Sequence, residues 1–138
     1  MLILNLEMWD KYRIIKISCS NNWESNDVSV MVDCVLNEVK QKAIEMVNLK
    51  EKCILILDCC KGKLPPIFQF TRIFSFLLNM SELISKSLNY TVLYSKSDNY
   101  KQWFDLILTM YKPIRPIHII QSSEELKKLI LNSNTNSN

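Results

Sequence analysis

Residues Ile54–Phe70 read ILILDCCKGKLPPIFQF, an apolar run that meets an acid, two adjacent cysteines, two lysines and a pair of prolines. Cys53 to Cys59 is continuously apolar except for Asp58, the pattern of a central strand buried on both faces. Pro65 and Pro66 cannot continue a ladder but fit the first turn of a helix. The apolar stripe that follows, Ile67, Phe70, Ile73/Phe74, Leu77, Met80/Ser81 and Ile84, predicts a helix over 67–88. The stretch is thus the corner where a strand turns into a helix, the place where open α/β sheets hold ligands.

Upstream, Leu2, Leu4, Leu6 and Met8 alternate with Ile3, Asn5 and Glu7, and RIIKISCS offers Ile15, Ile17 and Cys19 on one face. These two runs predict a hairpin with Trp9 in its turn. A polar loop over 20–26 leads to a helix with apolar positions Val28, Met31/Val32, Val35, Val39, Ile44 and Val47. Downstream, TVLYS (91–95) is a short strand, SDNYKQWFDLILTMYK a helix ended by Pro113, and IRPIHIIQ (114–121) the last strand. SSEELKKLI opens a helix with a capping box from Ser122 to Glu125. The remaining 132–138 form a polar tail unable to bury a core, expected to be disordered. The order β-β-α-β-α-β-α-β-α predicts an α/β single domain over 1–131, with a mixed, mostly parallel five-stranded sheet flanked by helices.

A chain of 138 residues, 48% hydrophobic and 22% charged, has ordinary globular composition and is expected to bury roughly two-thirds of its unfolded surface. Its 17 basic and 14 acidic residues, net +3, are interleaved along the chain, so no stripe for a row of phosphates forms and nucleic acid is not expected as a partner. Five cysteines with no recurring spacing sit in apolar segments, which points to a reducing, intracellular, cytoplasmic location. The N-terminus lacks signal-peptide character. The longest apolar region, 67–88, contains Arg72, and an arginine mid-span costs about 3 kcal/mol, so no integral membrane segment is expected. Abundant lysine, asparagine and isoleucine read as the bias of an AT-rich genome, viral or protist.

The ILILD strand and the ending P-I-R-P-I-H-I-I-Q-S-S-E-E-L-K-K-L-I, Pro113 to Ile130, together with the element order, resemble SpoIIAA-like members of the STAS superfamily, whose fold is similar to CRAL-TRIO lipid-binding domains. The resemblance implies a cytosolic, non-catalytic module that binds a protein partner and, in some relatives, a small apolar or anionic ligand. The family's aspartate-serine-serine-glycine phosphoswitch falls where this chain reads KGKLPPI, with neither serine nor acid, so the resemblance does not carry the switch across.

No catalytic constellation, metal set or cofactor motif emerges. Cys59 and Cys60 point to opposite faces of a strand and cannot share one metal as a C-x-x-C pair does; two buried, inert thiols is the plain reading. A nucleophilic Cys59 needs the one histidine, His118, as its base. Asp58 is expected to accept backbone N–H groups from the loop over 61–64. Lys61, Lys63 and Lys96, with Ser95, form a candidate anion site, against the competing reading of solvated loop lysines. Gly62, the one glycine, marks a turn. Phe68 and Phe76 fall off the main stripe of their helix and, with Trp23 in its polar loop, are candidate contact anchors for a partner, a second copy or an apolar ligand. Three functions follow in order: a protein-interaction module, self-association included; a small lipid or apolar-metabolite carrier, needing a cavity of at least about 300 Å³ beneath the helix; and a Cys-dependent enzyme.

Overall fold

The structure, a computed structural model, describes residues 3–9, 12–18, 28–60, 66–96, 105, 108–109 and 115–136. Strands β2 (Tyr12–Ser18), β3 (Cys53–Asp58), β4 (Leu88–Tyr94) and β5 (Ile117–Ile120) lie side by side in chain order as a parallel sheet, and β1 (Ile3–Trp9) pairs antiparallel with β2. The α/β class and the helices flanking parallel strands are as expected. Residues 53–57, all buried, place β3 centrally, between β2 and β4.

Because each parallel strand is laid beside its predecessor, every crossover steps in one direction, and right-handed crossovers then put their helices on one face. Helices α1 (Val28–Leu49), α2 (Ile67–Asn79) and α3 (Ser81–Ser87) obey this rule. Val39 and Met46 of α1, Leu77 of α2 and Ile84 of α3 pack with Ile15, Ile17, Leu55, Leu57 and Leu93 of the sheet. The other face gathers Ile14, Ile54, Ile56, Tyr90, Val92 and Ile120. Among the described residues it is covered by one helix, α4 (Ser123–Asn136), through Leu126, Leu129 and the fully buried Ile130.

Several boundaries differ from the sequence reading. The helix expected over 67–88 breaks at Met80 (φ −108°, ψ 28°). Asn79 and Ser81 compete for backbone hydrogen bonds and weaken a helix interior, and the break lets Leu77, Met80 and Ile84 reach one core cluster. The strand expected over 91–95 begins at Leu88, with a register shift that skips Asn89 between the pairs Cys53↔Leu88 and Ile54↔Tyr90, as a β-bulge does. The last strand is shorter than expected, 117–120. Trp9 belongs to β1, opposite Tyr12, rather than to the turn. The buried stripe of α1 is Val28, Val32, Leu36, Val39, Ala43 and Met46, so Ala43 and Met46, not Ile44 and Val47, carry its second half. Helical backbone continues in α4 through Asn136, into the stretch expected as a tail; the helix is already nucleated by its packed first turns, and each added polar residue costs only tenths of a kcal/mol. Of the helix expected before Pro113, Asp105, Leu108 and Thr109 are helical and the rest lies outside the described residues.

Candidate functional site

The carboxyl end of β3 is a polar corner on the α4 face. Alternation along β3 sends Cys53, Leu55, Leu57 and Cys59 to the α1 face and Ile54, Ile56 and Asp58 to the other. Asp58 accepts the backbone N–H of Cys60 on Oδ1 at 3.0 Å and pairs through Oδ2 with Lys16 Nζ at 3.5 Å. Among the described residues its turn is closed through Cys60, two residues on; residues 61–64, from which amide donors were expected, lie outside the described set. The Cys60 thiol reaches both the Tyr94 hydroxyl and the Asp58 carboxylate; burial, then the Asp58 charge, pushes its pKa up, against a smaller opposing pull from Tyr94 and Lys96. Burial likewise raises Tyr94, whose hydroxyl also meets Ser123 at the start of α4. There Glu125 N–H donates to Ser122 Oγ at 3.2 Å, one of the two bonds that make up the expected capping box.

One end of the sheet thus collects Lys16, Asp58, Cys60, Tyr94, Lys96 and Ser123 from three strands and a helix. Asp58 and Lys96 are candidates in the sequence, and Cys60, expected as a buried thiol, is half-buried beside them; Lys16 and Tyr94 enter through strand pairing, and the available signal was the lone charge of Lys16 at two-residue spacing from Ile14. Ser95 is buried, and its backbone N–H reaches Ile120 O at 3.1 Å, while Lys96 is exposed. Lys61, Lys63 and Trp23 lie outside the described residues. The corner ties the sheet end together through a carboxylate held by an ammonium and an amide, with a neighbouring thiol kept protonated.

Cys59 and His118 are not brought together. Cys59 lies in the core under α1, whereas His118 stands edge-on to Tyr90, ring centroids 5.2 Å apart, in the cluster on the opposite face. Cys34, Cys53, Cys59 and Cys60 form no disulfide, and burial pushes the Cys53 thiol up to about 12, so it is a small hydrophobe at neutral pH. Among the described residues no group of three or more His, Cys, Asp or Glu side chains gathers as a metal site, and no helix is long and apolar enough to cross a membrane.

Burial lowers the pKa of His118, so the unfolded chain, near 6.5, takes up a proton before the folded one does. The stability that neutral His118 supports is present above about pH 6.5 and is lost as pH falls below it. Urea midpoints for the parent chain are expected to decline between neutral and mildly acidic pH, with a flatter profile for His118→Gln; identical profiles would remove His118 from the acid response.

A second locus lies on the helical layer. Phe68, in the first turn of α2, is 64% exposed. Arg72 sits 5.9 Å from its ring centroid and is fixed by Gln69 Oε1 at 2.9 Å, by Ser29 O at 3.4 Å and by Asp33. Phe76 is half-buried and packs with Ile73 on Val28, Val32 and Leu36. Beneath α2 the apolar cavity lined by Val32, Leu36, Leu57, Ile73 and Leu77 has a volume of about 30 Å³, room for about one water. A groove of about 710 Å³ between α1 and the α2–α3 break, with Lys40 and Lys86 on its walls, is open to solvent.

No family model matches the chain, and neither curated proteins nor solved structures match it.

Proposed function

We propose that the chain is a non-catalytic protein-interaction module of the STAS/SpoIIAA-like type, built on a mixed five-stranded sheet in the order β-β-α-β-α-β-α-β-α. The observation that carries this reading is Phe68. A large ring left in water at the start of the helix after the central strand is an anchor in search of a cover, and in the resembled family that helix start is where partner docking is controlled. Arg72 stacks on it and is itself tied to α1, so the ring has little conformational freedom left to lose on docking. The carrier alternative asks for enclosed room of at least about 300 Å³, and the cavity beneath α2 offers about 30 Å³.

The test is partner capture from source cells by the immobilised chain, comparing the parent with Phe68→Ala. Burying this ring at an interface makes it a hot spot, so the variant is expected to weaken a specific partner by about thirtyfold, while its urea midpoint stays within about 0.5 kcal/mol because the ring is exposed. Full retention of every partner by the folded variant would sink the reading.

A further inference from the structure

β1 is the outermost strand on the β2 side, and among the described residues nothing pairs with its outer edge. It runs for seven residues, ILNLEMW, with neither lysine nor proline to blunt it. An edge of this length and composition is a template for another strand.

The hairpin register says which backbone groups are on offer. Trp9 pairs with Tyr12 across two intervening residues, in a register that continues through Glu7↔Ile14, Asn5↔Lys16 and Ile3↔Ser18. The closing pair of a two-residue hairpin exchanges both hydrogen bonds, and bonded pairs then recur at every second residue. Ile3, Asn5, Glu7 and Trp9 therefore spend their N–H and C=O on β2, leaving those of Leu4, Leu6 and Met8 directed outward.

We infer that β1 pairs antiparallel with β1 of a second copy about a two-fold axis at Leu6, joining two sheets into one. Leu6 is the midpoint of β1. Centred there, the register bonds Leu4 to the second copy's Met8 and Leu6 to its own equivalent, so each outward backbone group meets one of the same row. Apolar positions fall opposite apolar ones (Ile3 with Trp9, Leu4 with Met8), and Asn5 falls opposite Glu7. A self-complementary strand of this kind is what an isologous interface requires. This deepens the interaction-module reading by naming a second copy as partner. The contact is β1, not Phe68, so failure of either leaves the other standing.

Sedimentation equilibrium of the full chain is expected to show a species at twice 16.2 kDa; a monomer at every soluble concentration overturns the inference. Leu6→Pro removes the central outward N–H but none that bonds β2, a position where an edge strand tolerates proline, and is expected to give a folded monomer. A dimer undiminished in folded Leu6→Pro also overturns it. Should that variant not fold, Asn5 decides. Asn5→Lys sets two symmetry-related Lys–Glu7 pairs across the junction, and Asn5→Asp sets two like-charged pairs. The dimer constant is expected to tighten about fivefold in the first and weaken about fivefold in the second. Asn5 lies opposite Lys16 within the hairpin, so aspartate there favours the monomer's fold, and weaker dimerisation would not be a sign of unfolding. Equal constants for the two variants reject this register.

Discussion

Ile130→Ala is expected to lower the unfolding free energy by about 2–5 kcal/mol, the range for truncating a fully buried isoleucine. Ile130 is 0% exposed and lies in the cluster formed by Ile14, Ile54, Ile56, Val92 and Ile120. Other cores spread such a loss over several neighbouring helices, but among the described residues α4 alone covers this face, so the vacated volume has little to collapse into it. Urea unfolding followed by circular dichroism reads the effect as a lower midpoint at unchanged slope. A fall in slope for longer C-terminal truncations would report the bare face, because surface already open in the folded chain is no longer exposed on unfolding. A loss smaller than about 1 kcal/mol would mean that α4 rests on the sheet without holding it. Ile130→Val, which removes one methyl, is expected to cost about 1 kcal/mol.

The second large effect belongs to the polar corner. Asp58→Ala takes away the acceptor of the Cys60 amide and the partner of Lys16 at once, and leaving such groups unsatisfied costs about 1–3 kcal/mol. Asp58→Asn keeps an oxygen for the Cys60 amide while dropping the charge, and because the Lys16 side chain is 36% exposed, that loss is expected to stay under about 1 kcal/mol. The two variants therefore separate the turn-closing role from the ion pair. The difference between aspartate and asparagine should shrink in high salt, whereas the difference between asparagine and alanine should not. Equal destabilisation by both substitutions would show that only the charge matters; none by either would reduce the corner to a solvated turn.

What the sequence made legible follows from where one physical effect dominates. The buried central strand Cys53–Asp58 and the capped start of α4 at Ser122 were readable because continuous apolar character and a capping box are local signals. The break at Met80 was not, since the apolar stripe passes straight through it and only the demand that Ile84 share a cluster with Leu77 reveals a change of direction. The candidate corner was half visible: Asp58 and Lys96 stand near strand ends, but Lys16 reaches Asp58 only because β2 pairs in parallel with β3, a relation that no local pattern encodes. The Cys59–His118 pairing failed for the complementary reason. Alternation puts the two side chains on opposite sides of the sheet, whichever strands lie side by side.

The sequential strand order also bears on how the molecule is made. Each parallel strand joins a neighbour already synthesised, so the sheet can grow in step with translation, without leaving a gap for a later strand to enter. The α1 face is roofed as it grows, because each crossover delivers its own helix. The other face is completed last: Ile14, Ile54, Ile56 and Val92 all precede in the chain the helix residue, Ile130, that covers them. Until that helix docks, an apolar sheet face stands open to water, the kind of surface through which folding intermediates associate.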